Sequence, residues 1–266
     1  MNSAPDRSEP PPPPPVDVAV RTFNSESTLA PCLEAARRFL PIHHLLVIDR
    51  CSTDGTARIA RAFGARVEPE ETGIGFATQR AIELADTETI LFLDSDVIVR
   101  DPTFYARACA ALGRAGVGAV VGNSLGHRFA YGLPLGLTLL PRRWAGSVSI
   151  PPTAQGSETY FFRRALRQER LRVAYLPDAM IHRSPYRGGT WPEWQGAQIR
   201  RAAGGDAREL AYTLLVPWLI HANSGSLRNL LYSPIFDAKL LRGYLHPTRW
   251  LTRDRRQLPP RENPSP

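Results

Sequence analysis

Lysine is almost absent from this chain of 266 residues: Lys239 is the single lysine among 33 basic residues, and the others are arginine. The formal net charge is +8, which suits partners that carry phosphate, because a guanidinium group grips phosphate with a rigid fork of donors. A coding bias that replaces lysine with arginine gives the same composition. Charge alone therefore selects neither nucleic acid, nor anionic lipid, nor nucleotide as the partner.

Cysteine and long apolar runs are also scarce. The three cysteines are far apart and form no C-x-x-C pair, so the cysteines predict neither a disulfide framework nor a zinc site, and we expect a reducing compartment. The longest apolar run, 210–220, is much shorter than the ~20 residues that span a bilayer, and it contains Pro217. Because the first residues lack an apolar signal region, we expect a cytoplasmic protein without a transmembrane helix.

The chain divides into four parts by composition. Residues 1–15 end in a run of prolines and predict a disordered arm, and 253–266 predict a similar disordered tail. Residues 16–205 predict one large domain, and 206–252 predict a helical extension. The extension mixes aromatic, leucine and basic residues, which suits either a helical cap packed on the domain or peripheral contact with a membrane surface.

Strands and helices alternate through the first half of the large domain. Residues 16–20 and 45–49 have the length and branched side chains of strands. Between them, apolar residues recur at helical spacing, and Pro31 is predicted to lie in the first turn of that helix. The same patterns predict further strands at 64–68, 87–94 and 117–122, and further helices at 56–63, 76–85 and 102–112. This rhythm predicts an α/β fold with a mostly parallel sheet between helices.

Three of the predicted strands run into polar residues at their carboxyl ends, at 21–24, at Asp49 and at Asp94. Ligands of such sheets bind beyond the carboxyl ends of the strands, so we expect a site there. Asp96 follows Asp94 after one residue, and two adjacent carboxylates repel each other unless a cation offsets them. The pair therefore indicates either a divalent metal site or a helix cap beside a solvated carboxylate.

Four segments resemble family 2 glycosyltransferases in order and spacing: VRTFNSESTLAPCLEAA, LLVIDRCSTDGTARIA, GIGFATQRAIELADTETILFLDSDVIV and GSETYFFRRALRQERLRVAYLPDAMIH. The resemblance runs from Val16 to His182. It implies a GT-A fold, a nucleotide-binding arrangement similar to a Rossmann fold, and a nucleoside-diphosphate sugar as donor. It also implies a divalent metal, manganese or magnesium, and a role such as building cell envelope polysaccharide.

The resemblance assigns roles to residues on the donor side. It implies that the loop of Thr22, Phe23 and Asn24 lies against the nucleotide and that Asp49 hydrogen-bonds the base, although Asp49 also fits a simple turn. Asp94 matches a ribose or metal contact, and Asp96 matches the direct metal ligand. Gly75 and Gln79 match the stretch that approaches the nucleotide, although the family more often has Asn in place of Gln79. His182 matches a histidine that completes metal coordination or contacts the diphosphate in some members.

The acceptor side matches the family less well. The family's Glu-Asp pair falls on Glu158 and Thr159, so Glu158 is the remaining candidate for the catalytic base; a surface glutamate at a helix start is the alternative. Residues 198–202 partly match an element of processive relatives that ends in Trp, which is missing here. Residues 122–152 break the strand and helix rhythm, and the apolar segment 133–141 fits either a hydrophobic, lipid-linked acceptor or a hairpin in the core.

The sequence leaves four functions open. The first is a metal-dependent transfer of a sugar to an acceptor hydroxyl of a saccharide or lipid-linked molecule. The second is a non-catalytic binding module of the same fold, and the third is a sugar-phosphate nucleotidyltransferase, which lacks support because the loop after the first strand contains no glycine. The fourth is nucleic-acid binding through the basic surface, which the resemblance does not favour.

Overall fold

The computed structural model describes residues 12–123, 132–151, 157–183, 191–204, 207–223 and 227–251. The predicted tail and most of the predicted arm lie outside these ranges, and residues 12–15 form neither helix nor strand. The boundaries proposed between the arm, the domain, the extension and the tail stay predictions.

A seven-stranded sheet forms the centre of the molecule, with a separate two-stranded ribbon beside it. The large sheet has the strand order β3-β2-β1-β4-β7-β6-β8, and β5 pairs with β9. Every strand of the large sheet is parallel to its neighbours except β7, which is antiparallel to both β4 and β6. The strands are β1 (Val16–Thr22), β2 (Ile42–Asp49), β3 (Arg66–Pro69), β4 (Thr89–Asp94), β5 (Val97–Val99), β6 (Val117–Gly122), β7 (Leu137–Pro141), β8 (Arg172–Leu176) and β9 (Met180–His182).

Helices cover both faces of the sheet, which confirms the predicted α/β architecture. Alternate residues of β1 and β4 face two different apolar layers, and both layers are buried, as expected of parallel strands that are covered on both sides. The helices are α1 (Glu26–Phe39), α2 (Thr56–Ala62), α3 (Ile74–Leu84), α4 (Phe104–Leu112), α5 (Arg142–Ser147), α6 (Glu158–Gln168), α7 (Trp191–Ala203), α8 (Ala207–Asn223), α9 (Leu227–Leu245) and α10 (Pro247–Leu251).

The first helix begins earlier than its apolar pattern predicts. The main-chain carbonyl of Ser25 accepts hydrogen bonds from the N–H groups of Thr28 and Leu29, so the helix is already closed at Glu26. Pro31 is therefore the sixth residue of α1. The sequence pattern had predicted it in the first turn. The prediction was wrong because the polar residues before Leu29 carry no apolar periodicity.

The apolar segment 133–141 lies in the core. It enters the sheet as β7 between β4 and β6, and Leu137, Leu139 and Leu140 are fully buried. Leu133 and Leu135, just before the strand, are also buried in the layer under α3. These leucines cannot contact an acceptor, so of the two interpretations of the segment the core-packing one is correct. The rest of the predicted acceptor region lies partly outside the described residues.

The last helices form a unit in which two backbones nearly touch. A methyl group on Gly243 of α9 would lie 1.8 Å from the main-chain oxygen of Glu193 in α7, and one on Gly196 would lie 1.9 Å from the oxygen of Leu240. Glycine is thus required on both sides of this crossing. C-terminal helices are present as predicted, and α7, which precedes the predicted boundary, packs against them. Within the described part of the chain, every helix falls short of the length and apolarity that a bilayer span requires.

Candidate active site

Three strand ends meet at one edge of the sheet. Thr22 at the end of β1 lies opposite Asp49 at the end of β2, and Arg21 lies opposite Asp94 at the end of β4. Parallel strands in the order β2-β1-β4 place these side chains next to one another, which is the edge where ligands of such sheets bind. The predicted shared edge is therefore confirmed.

Asp49 holds the first two loops of this edge together. Its Oδ1 accepts hydrogen bonds from the hydroxyls of Thr22 (2.7 Å) and Ser52 (2.6 Å), and its Oδ2 accepts one from the N–H of Ser52 (2.8 Å). The side chain is buried. A carboxylate can accept about four hydrogen bonds, so Asp49 keeps one lone pair of Oδ2 for a ligand. Its predicted contact with the base depends on that lone pair.

The loop after β1 is fixed in a special conformation. Asn24 has a left-handed backbone with φ of 47°, which asparagine tolerates better than most residues. Its N–H donates to Ser52 Oγ, and its Oδ1 accepts from the N–H of Thr53. Phe23 lies beneath the guanidinium of Arg50, 5.7 Å from the ring centroid. The predicted nucleotide loop is thus tied to the loop after β2 before any ligand binds.

Asp94, Asp96 and His182 come together although His182 is far away in the sequence. The β5 and β9 ribbon pairs Val97 with His182, which brings the imidazole beside the D-x-D turn. His182 Nε2 lies 3.5 Å from Asp96 Oδ1, and one ligand atom from each of the three residues lies within 4.8 Å of the others. The three predicted metal ligands therefore share one site.

The donor set fits a divalent cation. Two carboxylates supply oxygen ligands and one imidazole supplies a nitrogen ligand. Mn²⁺ accepts both kinds of ligand, whereas Mg²⁺ would bind mainly to the carboxylate oxygens. The guanidinium of Arg21 is shared between Asp94 and Glu158. A divalent ion would add positive charge beside Asp94 and Asp96.

Arg21 connects Asp94 to the interior of the domain. Its Nη2 donates to Asp94 Oδ1 (2.9 Å), and its Nη1 donates to both Glu158 Oε1 (3.1 Å) and Thr78 Oγ1 (3.1 Å). The arginine side chain is only 7% exposed, so these bonds form away from bulk water and are stronger than surface ion pairs. Arg21 leaves Oδ2 of Asp94 for a ligand, and this atom faces Gly136.

Glu158 is buried behind the site instead of opening into it. The residue is 2% exposed, Oε1 accepts from Arg21, and Oε2 accepts no hydrogen bond from the described residues. Burial raises the pKa of Glu158, while the Arg21 guanidinium acts to lower it. The neighbouring Thr159 uses its carbonyl to accept the N–H of Leu133. The position of Glu158 favours a role in holding Arg21, and its role as base stays a prediction.

Helix α3 approaches the same edge through its first two turns. Gly75 is buried there, and Thr78 receives the hydrogen bond from Arg21. Gln79 is half-buried, and its Oε1 is buried without a hydrogen bond from the described part of the chain. Residues 198–202 lie on α7 instead, where Gln198 is buried and accepts a hydrogen bond from Ser157. That segment therefore braces the start of α6.

Arg21 lies in the polar strand end predicted at 21–24, but no role in the site was predicted for it. A usable signal was present, since Arg21 and Asp17 alternate with Ala19 on one side of a strand whose other residues are mainly valine. Arginine within a buried strand requires a carboxylate partner. The signal indicates that a partner exists, but only the folded chain identifies Asp94 and Glu158.

A family model described as Glycosyl transferase family 2 matches residues 17–174, more than half of the chain. The chain belongs to glycosyl transferase family 2. This confirms the predicted family. The matched range covers the strand ends with Asp49, Asp94 and Asp96, whereas His182 and the last four helices lie beyond it.

Known family members and structural neighbours differ in how much of this chain they match. A glucosyl-3-phosphoglycerate synthase of Mycolicibacterium smegmatis is 31% identical over 108 residues, and the match covers 36% of this chain and 36% of the relative. The chain thus matches little more than a third of that relative's length.

Among solved structures, a mannosyltransferase of Pyrobaculum calidifontis in complex with GDP-Man and Mn²⁺ has a TM-score of 0.68 and 19% identity, covering 90% of this chain and 88% of that one. A glucosyl-3-phosphoglycerate synthase of Mycobacterium tuberculosis in complex with Mg²⁺ and UDP has a TM-score of 0.59 and 20% identity, covering 71% of this chain and 79% of that one. At these identities the structures establish a shared GT-A fold.

Proposed function

We propose that the protein transfers a sugar from a nucleoside-diphosphate sugar to an acceptor hydroxyl, with a divalent cation held by Asp94, Asp96 and His182. The observation that carries this proposal is the convergence of these three residues beside the two loops joined by Asp49, although His182 follows Asp96 by 86 positions in the sequence. The neighbouring structures with bound UDP or GDP-Man and Mg²⁺ or Mn²⁺ support the choice of ligand.

Different residues of the chain would bind different parts of the donor. The loop of Thr22, Phe23 and Asn24, together with Asp49, would hold the base and ribose, and the first turns of α3 with Gly75 and Gln79 would approach the nucleotide from the other side. A bound Mn²⁺ or Mg²⁺ supplies positive charge to the departing diphosphate. Asp94, Asp96 and His182 would hold that ion, and Arg21 would keep Asp94 in place.

The sugar acceptor is proposed as a hydroxyl of a saccharide or of a lipid-linked molecule. The buried leucines of β7 do not support a hydrophobic acceptor pocket, because they pack in the core. Support for a lipid-linked acceptor comes instead from the C-terminal helices. We therefore connect the lipid alternative to membrane contact of those helices.

Helices α8 and α9 both expose large apolar side chains. They are held side by side by the hydrogen bond from Trp218 Nε1 to Asp237 Oδ2 (2.7 Å), and exposed apolar residues recur at helical spacing on both: Leu215, Trp218, Leu227, Leu231 and Ile235. The three last helices carry five basic and two acidic residues. Apolar and cationic side chains together suit an anionic membrane surface, so we propose peripheral contact with the cytoplasmic face of a membrane.

A vesicle experiment tests the membrane contact. The protein should sediment with phosphatidylglycerol vesicles and much less with phosphatidylcholine vesicles, and Leu231→Ser with Ile235→Ser should abolish sedimentation while leaving the melting temperature unchanged. Equal binding by the double variant would contradict the proposal. Concentration-dependent dimerisation that the double variant loses would assign the surface to a second copy of the chain.

The proposed sugar transfer predicts a metal-dependent response to nucleotides. Thermal melts with UDP, GDP and their sugars should show stabilisation that requires Mn²⁺ or Mg²⁺, because a ligand that binds only the folded state raises its stability. Asp96→Asn should remove this stabilisation, whereas Asp86→Asn, at the opposite end of the sheet, should retain it. A nucleotide effect that survives Asp96→Asn would refute the ligand assignment.

Product analysis separates the alternatives. Slow, metal-dependent hydrolysis of the nucleotide sugar indicates a transferase, and tight binding without hydrolysis indicates a binding module. Release of pyrophosphate from a nucleoside triphosphate and a sugar phosphate would indicate a nucleotidyltransferase. Salt-sensitive binding of nucleic acid without any nucleotide-sugar effect would support the basic-surface alternative.

A further inference from the structure

A second cluster of ligand groups lies at the opposite, amino-terminal edge of the sheet. It consists of Asp17 at the start of β1, His43 and His44 at the start of β2, and Asp86 in the loop between α3 and β4. One ligand atom from each lies within 4.8 Å of the others. Unlike the active site, this cluster contains two imidazoles and has no part in the proposed sugar transfer.

A register shift brings the two histidines together. Neighbouring residues of a regular strand point to opposite faces, yet the rings of His43 and His44 have centroids 4.0 Å apart. Val16 pairs with Ile42 and Val18 with Leu45, so two steps along β1 correspond to three steps along β2. The extra residue is a bulge, which is rare between parallel strands and typically redirects a side chain. Both imidazoles thereby reach Asp86.

Three of the six separations between the ligand atoms are those of a tetrahedral metal site, and all six are within 4.8 Å. His43 Nε2 and His44 Nδ1 lie 3.3 and 3.4 Å from Asp86 Oδ1, and His44 Nδ1 lies 3.2 Å from Asp17 Oδ1. A charge-assisted hydrogen bond is shorter, about 2.7 to 2.9 Å. Four ligands bonded to one ion at about 2.0 to 2.1 Å are separated by about 3.3 to 3.4 Å. All three distances are close to that separation.

The buried member of the cluster is already oriented. Asp17 is fully buried, and its carboxylate accepts hydrogen bonds from the main-chain N–H groups of His44 (3.1 Å), Asp86 (2.7 Å) and Thr87 (2.9 Å). These bonds fix the backbone of two residues whose side chains complete the cluster. Such supporting hydrogen bonds are typical of metal sites that bind without rearrangement.

We propose that Asp17, His43, His44 and Asp86 form a second metal site, which takes a zinc-like divalent ion in four-coordinate geometry and fastens the starts of β1 and β2 to the loop before β4. Two imidazoles favour a borderline ion over Mg²⁺, which prefers oxygen ligands. Four protein ligands leave no open position, so the site is structural. The two half-exposed histidines give the ion access from solvent.

The test uses the full chain without an affinity tag, freed of metal and held at pH 8, where imidazoles are neutral ligands. Without nucleotide, Co²⁺ should bind at one equivalent with the visible absorption of tetrahedral cobalt, and Zn²⁺ should displace it and raise the melting temperature. His43→Gln and His44→Gln should each weaken Co²⁺ binding at least about tenfold. His182→Gln is the matched control, since it changes a histidine of the other edge and should leave this signal intact.

Two results would overturn the proposal. One is the absence of a tetrahedral Co²⁺ spectrum in the wild type, which would leave the cluster as ion pairs between histidine and aspartate. The other is a spectrum that persists in the double variant of His43 and His44. Both readouts are independent of nucleotide. A negative Co²⁺ result would therefore contradict the second metal site and leave the proposed sugar transfer untouched, and a negative Asp96→Asn result would do the reverse.

Discussion

Arg21→Met is the most discriminating change at the active site. It keeps most of the side-chain length but removes the guanidinium that Glu158 and Asp94 share. Both partners in the pair with Glu158 are almost fully buried, with 7% and 2% of their side chains exposed. Removing one partner of a buried ion pair costs about 3 to 5 kcal/mol, because the remaining charge loses its compensation.

The pair with Asp94 adds less to this cost. Asp94 is 37% exposed, so water can replace part of the lost interaction, and we assign it only the small contribution of an exposed pair. We therefore expect Arg21→Met to lower the free energy of unfolding by about 3 to 5 kcal/mol. Urea unfolding followed by tryptophan fluorescence measures this change.

A second ion pair provides the control. Arg58 and Glu26 are paired on the surface, with 75% and 49% of their side chains exposed, so Arg58→Met should cost about 0 to 1 kcal/mol. The double variant Arg21→Met with Glu158→Leu should cost less than the sum of its single changes by about 0.5 to 3 kcal/mol. Equal effects of Arg21→Met and Arg58→Met, or strict additivity in the double variant, would refute the buried network.

Three further changes test other parts of the structure. Gly243→Ala should lower the melting temperature strongly, since the new methyl would lie 1.8 Å from the oxygen of Glu193, whereas Gly146→Ala, whose methyl would have its nearest neighbour at 3.5 Å, should change it little; equal melting temperatures would contradict the close crossing. Leu139→Ala in β7 should lower the free energy of unfolding, measured in urea, by about 2 to 5 kcal/mol. A loss no larger than that caused by the same change at an exposed leucine would argue against burial of Leu139 in the core. Asp49→Ala should cost about 1 to 3 kcal/mol and weaken UDP or GDP binding in calorimetry, so unchanged nucleotide affinity would remove Asp49 from the donor site.

Local patterns sufficed to predict the parallel sheet and its functional edge. Strand ends at Thr22, Asp49 and Asp94 are visible in sequence because each apolar run stops at a polar residue, and sheet topology then brings them together. The pairing of His182 with the D-x-D turn was predicted from family resemblance, since His182 follows Asp96 by 86 positions and only the separate β5–β9 ribbon joins the two. Periodicity carries no information on such a distant pair.

The parts that the sequence did not predict depend on packing between distant segments. The apolar segment 133–141 fitted either a hydrophobic acceptor site or a hairpin in the core, and its insertion as β7 between β4 and β6 decides for the core. Glu158 is at a helix start in both the prediction and the structure, but its burial against Arg21 requires α6 and β1 to be packed together. Charge and burial of one residue therefore depended on a partner 137 positions away.

The central strand links the two ends of the molecule. Asp17 and Arg21 lie on the same side of β1, separated by Ala19, and both are charged residues in a strand that is otherwise buried and apolar. Each charge is compensated by groups from distant segments: main-chain N–H groups for Asp17, and two carboxylates for Arg21. Because buried charges are costly unless they are paired, β1 fits this sheet only when the loops at both edges are in place. Formation of the sheet therefore also orders the loops at both of its edges: those beside Asp49 and Asp94 at one edge, and those that carry His43, His44 and Asp86 at the other.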